Sequence, residues 1–205
     1  MHTSYIRTNS SEVNVRVERS KMVVRVGGGG KSGGVCGIGG GKAHLIQFQR
    51  PLTPELRFFF VELVKTPGKS NVIVGVAPPS ILQESGEKNN NNHSNASADQ
   101  NHVPGRVQDT IGYESRTGLM YFNNKCKANM MGQRCAQGDC LGVEMEVFEA
   151  EMSVAIFSRN FRPVGTRFLT LRHHDQFLPT VAVLCDNQEV RVHVCIYASK
   201  SRENK

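Results

Sequence analysis

Tryptophan is absent from the 205 residues, and with ten phenylalanines against four tyrosines any large aromatic volume in a core has to come mainly from Phe. No stretch approaches the roughly 20 consecutive apolar residues that a membrane-spanning helix needs. This excludes an integral helical membrane protein. Residues 1–14 are polar and lack the apolar segment of a secretory leader, so the expected compartment is the cytosol or nucleus. Six cysteines occur at positions 36, 126, 135, 140, 185 and 195, without a Cys-x-x-Cys pair or a His at zinc-finger spacing. In a reducing compartment they read as free, apolar thiols, and no metal site is expected.

Charge is unevenly placed. Residues 1–50 carry eight Lys or Arg against Glu12 and Glu18, whereas the remainder of the chain is close to neutral. A basic leading segment can neutralise phosphates. Nucleic acid is therefore the alternative partner to consider, through residues 1–42, although the basic residues there have no interleaved aromatics for stacking bases.

Two segments break the globular pattern. Ten of the fifteen residues from Gly27 to Gly41 are glycine, a composition expected to behave as a flexible spacer. The stretch from Gln83 to Asn101 is polar and reads as a disordered insertion. Accordingly, the expected organisation is a basic, glycine-rich extension over 1–42, one domain over 43–199 interrupted at 83–101, and a polar tail over 200–205.

Elsewhere the repeated signal is strand-like. Val13, Val15 and Val17 alternate with polar residues, as do Val190, Val192, Val194 and Ile196. Residues 58–64, 72–77, 141–147, 154–158 and 179–184 add short apolar runs bounded by Gly, Pro or Asn. No long amphipathic helical stripe is present. Many short strands with turn-limited spacing predict an all-β sandwich or barrel.

Chemical motifs are weak. Gly30-Lys31-Ser32 follows an apolar run as in a phosphate-binding loop, but the motif's first glycine position holds Arg25 and no helix former follows. Glu144 and Glu146 fall on one face of a strand, about 7 Å apart, and read as its solvated side rather than an acid–base pair. His173 and His174 are adjacent, which on a strand sends them to opposite faces. No catalytic constellation emerges, and an enzyme is not expected.

Read in order, the strand runs resemble the SPRY (B30.2) domain, in particular its stand-alone and Ran-binding-protein-M-type members. The residues that carry this are Arg57-Phe58-Phe59-Phe60-Val61-Glu62-Leu63, Val74-Gly75-Val76-Ala77, Gly112-Tyr113 with Gly118-Leu119-Met120-Tyr121-Phe122-Asn123, Gly138-Asp139-Cys140-Leu141-Gly142-Val143, Ile156-Phe157-Ser158-Arg159-Asn160, Val164-Gly165-Thr166 and Phe177-Leu178-Pro179-Thr180-Val181-Ala182-Val183. Asp139 is placed to hold turn amides. The glycines at 75, 142 and 165 are placed where sheets or strands approach closely. Phe161 stands where the family has the glycine of an Asn-Gly turn. Because Phe disfavours positive φ, residues 159–164 are expected to turn differently, helped by Pro163.

The resemblance implies a two-layer antiparallel β-sandwich of the concanavalin-like jelly-roll kind. It also implies a non-catalytic adaptor, without cofactor, that binds a protein or peptide through loops at one end, in a ubiquitin-ligase or signalling complex. Family contacts map onto Arg50, Pro51 and Leu52, onto Pro78 and Pro79, onto Tyr113, and onto Cys185, Asp186 and Asn187.

Overall fold

The computed structural model describes residues 6–9, 11, 13–18, 21–26, 43–52, 58–66, 71–84, 102–126, 134–149, 152–170, 177–185 and 187–195. They form two seven-stranded antiparallel sheets packed face to face. The first contains, in spatial order, β1 (Ile6–Thr8), β4 (His44–Phe48), β13 (Leu178–Val183), β6 (Val72–Ala77), β7 (Ile111–Glu114), β8 (Leu119–Phe122) and β9 (Lys125–Cys126). The second runs β12 (Arg162–Thr170), β11 (Met152–Arg159), β10 (Cys140–Glu149), β5 (Phe58–Lys65), β14 (Glu189–Cys195), β3 (Lys21–Val26) and β2 (Val13–Glu18). A single short helix, α1 (Ile81–Glu84), follows β6 among the described residues.

Alternation builds the core. In β5, Phe59, Val61 and Leu63 are buried while Phe58, Phe60 and Glu62 face outward. Across the gap, Val74 and Val76 of β6 and Ile46 and Phe48 of β4 join the same apolar cluster. Phe59 reaches Phe48 at 6.5 Å between ring centroids, supplying the aromatic volume that tryptophan does not. A second apolar patch lies on the outer face of the first sheet, where Leu45, Ile73 and Ala182 are covered by Ile81 and Val103. For that reason every residue of β4 and β6 is buried, and neither strand has a solvated side.

Close approach explains two of the glycines. A Cβ on Gly75 would lie 2.0 Å from the Ile111 carbonyl oxygen of the neighbouring strand, and one on Gly142 would meet the Ser158 hydroxyl at 2.4 Å and the Phe58 ring at 2.8 Å. Gly142 thus makes room for Phe58 on the outer face of the second sheet.

Three expectations are corrected. First, the described part of residues 6–26 is not a free extension: β2 pairs with β3 from Val13↔Val26 to Glu18↔Lys21, and β3 pairs with β14. Met22, Val24 and Val26 belong to the core and Arg25 is paired with Glu189 at 2.7 Å, so apolar burial outweighed the segment's basic composition. The glycine tract at 27–42 and the polar stretch at 85–101 lie outside the described residues. Second, Cys185 is disulfide-bonded, whereas Cys135 and Cys140 are not in a disulfide.

Third, Asn160 and Phe161 do form a two-residue turn with φ of 50° and 63°, between paired Arg159 and Arg162. A left-handed Phe costs about 1–2 kcal/mol. Contacts on both sides offset it. Asn160 accepts the Cys140 N–H through Oδ1 and donates to Asp139, and the Phe161 ring packs edge-on against Phe60 at 5.2 Å and against Phe58 at 6.5 Å. Pro163 serves a different purpose, sitting on an edge strand beside the register shift opposite Phe157 and Ser158.

Candidate functional site

Strand direction decides which loops meet. β13 runs antiparallel to both β4 and β6, with Thr180 opposite Gln47 and Leu178 opposite Ala77. The chain leaving β4 and the chain leaving β6 therefore emerge at one end, and the chain leaving β13 at the other. Arg50, Pro51 and Leu52 share the first end with Pro78 and Pro79. Cys185 and Asn187 stand at the opposite end, and Asp186 lies outside the described residues.

The first end is held by neutral hydrogen bonds. The buried Gln47 amide donates to the carbonyls of Ala77 (3.3 Å) and Pro78 (3.1 Å) and to the Thr180 hydroxyl (3.1 Å). Pro78 also accepts the Ile81 N–H, which starts α1. Pro51, Leu52, Pro78 and Pro79 are half-buried and Arg50 is exposed, with Leu52 resting on the main core. This surface is short, apolar and rigid, with one cation at its border.

Tyr113 lies at neither end. It is 2% exposed, stacks on Phe157 of the other sheet at 6.0 Å, and hydrogen-bonds through its hydroxyl to the Cys135 sulfur. Burial, reinforced by Cys135, raises its pKa well above the ordinary tyrosine range. The surface role expected for Tyr113 is replaced by a packing role between the sheets, worth about 0.5–1.5 kcal/mol beyond area burial. Cys135 is itself pushed up to about 11 by burial, which keeps it a thiol.

The second end centres on residues 134–140. The Cys135 N–H donates to Ser115, Gly138 N–H to Leu63, and Leu63 N–H to Asp139, so this loop ties the two sheets together. Asp139 Oδ2 accepts Arg159 Nε (3.0 Å), Arg159 Nη2 (2.8 Å) and the Ala136 N–H (2.7 Å), while Oδ1 accepts Asn160 Nδ2 (2.8 Å). Burial pushes the carboxyl up, but these four hydrogen bonds outweigh it and hold its pKa below the usual carboxylate range. Glu114, 3% exposed, is equally well satisfied, accepting from Asn71, Arg106, Thr117 and Tyr121. Asp139 was legible as a turn-holding residue; the Glu114 cluster was not, because it depends on side chains from separate loops.

Glu144 and Glu146 do share the outer face of β10, alternating with buried Val143 and Met145. His173, His174 and the Gly-Lys-Ser segment lie outside the described residues. Among the described residues no group of three or more His, Cys, Asp or Glu could hold a metal, and no helix is long and apolar enough to cross a membrane.

The architecture has counterparts among solved structures. A human SPRY domain superposes with a TM-score of 0.63 at 21% identity, covering 87% of this chain and 94% of that one. The fold is that of a SPRY domain. The SPRY domain of human HERC1 aligns at a TM-score of 0.51 and 16% identity, over 91% of this chain and 96% of the other. By sequence, the chain is 25% identical over 147 residues to SPRY domain-containing protein 3 of Homo sapiens, which covers 71% of this chain. It spans only 29% of that relative's length. No protein-family model matches the chain.

Proposed function

We propose that this SPRY domain is a non-catalytic adaptor that binds a protein or peptide partner through the end formed by Arg50, Pro51, Leu52, Pro78 and Pro79. The observation that supports this most is their convergence: two separate loops leave the strands on either side of β13 at the same end, clamped by Gln47. Loops held on a rigid sheet are free to vary in sequence without cost to the core. Rigid apolar groups bordered by an arginine suit an interface, because ordering them on binding costs little and Arg offers both area and directed hydrogen bonds. Tyr113 and Cys185 are buried and leave the proposed surface. A ubiquitin-ligase or signalling assembly is the setting in which such an adaptor would act.

The test is affinity purification with the full-length protein beside Arg50→Ala and Pro79→Glu variants, read by mass spectrometry. Partners that copurify with the wild type should be lost from the variants, with Arg50→Ala weakening binding by about 1–3 kcal/mol if it is an anchor. Identical partner lists from three equally stable proteins would refute the assignment.

A further inference from the structure

The opposite end has a different chemistry. Lys65 closes β5, Arg116 lies in the turn between β7 and β8, Arg134 opens the loop that reaches Asp139, and Arg162 follows the Asn160–Phe161 turn. The backbone bonds from Cys135 to Ser115 and from Gly138 to Leu63, with the Asp139–Arg159 pair, place all four at this end of the sandwich. Lys65, Arg134 and Arg162 are exposed and Arg116 is half-buried. None of the four is paired with a described carboxylate, because the acids at this end are already engaged: Asp139 by Arg159, Glu114 by Arg106, Glu62 by Arg191 and Glu189 by Arg25.

At the corner of this surface stands Phe161, 62% exposed, the exposed large hydrophobic among the described residues. Its ring is held by Phe58 and Phe60, and Phe60 is in turn stacked on His193 at 4.3 Å. A glycine would satisfy φ of 63° without strain. The chain instead holds an aromatic ring in solvent at a position where its backbone is disfavoured, a combination that points to use of the ring.

We propose that this end is a second docking surface, for an acidic polypeptide segment that seats an apolar side chain on Phe161 while its carboxylates meet Lys65, Arg116, Arg134 and Arg162. Charge complementarity selects the occupant. A second copy of the chain fits less well, since it would bring the same cations face to face. Single-stranded nucleic acid would need successive exposed aromatic platforms, whereas the rings beside Phe161, those of Phe58 and Phe60, are half-buried. The surface is distinct from the Arg50 end, so the proposal does not depend on the function assigned there.

Fluorescence anisotropy on the full-length protein tests it, with a fluorescein-labelled peptide of Glu and Asp around a central Leu-Phe pair. The controls are the matching Gln/Asn peptide and labelled oligo(dT). The acidic peptide should bind and the amide peptide should not. Affinity should fall with added salt. Phe161→Gly, which keeps the turn, should weaken binding about tenfold, and Arg134→Glu with Arg162→Glu should weaken it more. Arg50→Ala should leave this binding unchanged, which separates the two surfaces. Equal binding of the amide peptide, preference for oligo(dT), loss on Arg50→Ala, or indifference to Phe161→Gly in a variant with wild-type urea stability would each overturn the proposal.

Discussion

The two ends of the sandwich are closed by different chemistry. At one, a neutral amide, Gln47, is shared among two carbonyls and a hydroxyl, and the flanking groups are prolines and a leucine. At the other, a carboxylate with four donors joins two loops, and four cations are left over. Neutral hydrogen bonds contribute modestly and respond little to salt or pH, whereas charge-assisted ones are stronger and titrate. The same scaffold therefore offers one surface insensitive to solution conditions and one governed by them.

The sharpest break of this comparison is Asp139→Ala. It removes four hydrogen bonds, two of them charge-assisted bonds from Arg159, and should cost about 2–4 kcal/mol in urea unfolding. Because the folded carboxyl has a lowered pKa, its contribution is complete above the unfolded value near ~3.9 and disappears as pH falls through the folded one. The difference between wild type and variant should hold from neutral pH to about 4 and close below that. A gap that stays open at acid pH would contradict the role given to the ionised form.

At the neutral end, Gln47→Leu leaves the Ala77 and Pro78 carbonyls without their side-chain donor and should cost about 1–3 kcal/mol, with no pH dependence over the same range. A titrating loss there would erase the contrast. Phe161→Gly exchanges relief of backbone strain for lost ring contacts and should shift stability by less than about 1 kcal/mol, read from the same denaturation curves. Arg50→Ala, at an exposed position, should change the midpoint by no more than about 0.5 kcal/mol. A larger loss would mean that Arg50 supports the fold rather than a partner.

Much of the sandwich could be read from residues whose environment alternates. Val13 and Val15, or Val190 and Val192, announce their strands because one face meets the core and the other is more open to water. β4 has no such signature: His44 to Phe48 is buried throughout, since α1 and Val103 cover its outer side. β3 was hidden by the basic composition around it, and β12 by Pro163 and Gly165, both tolerated because the strand is an edge. The Asn160–Phe161 turn went the other way from its local preference because Phe58 and Phe60, about a hundred positions earlier in the chain, supply the ring contacts. The candidate site was legible as a set of loops but not as a surface. Which loops share an end follows from strand direction, and Cys185 and Asn187 parted from Arg50 only once β13 was seen to run against β4.

Ile81 and Val103 rest in the same apolar patch on the outer face of the first sheet. The polypeptide thus re-enters the body of the molecule where it departed. An engineer seeking to splice in a reporter or an affinity handle has a natural insertion point there, at the opposite end of the sandwich from the Asp139 junction.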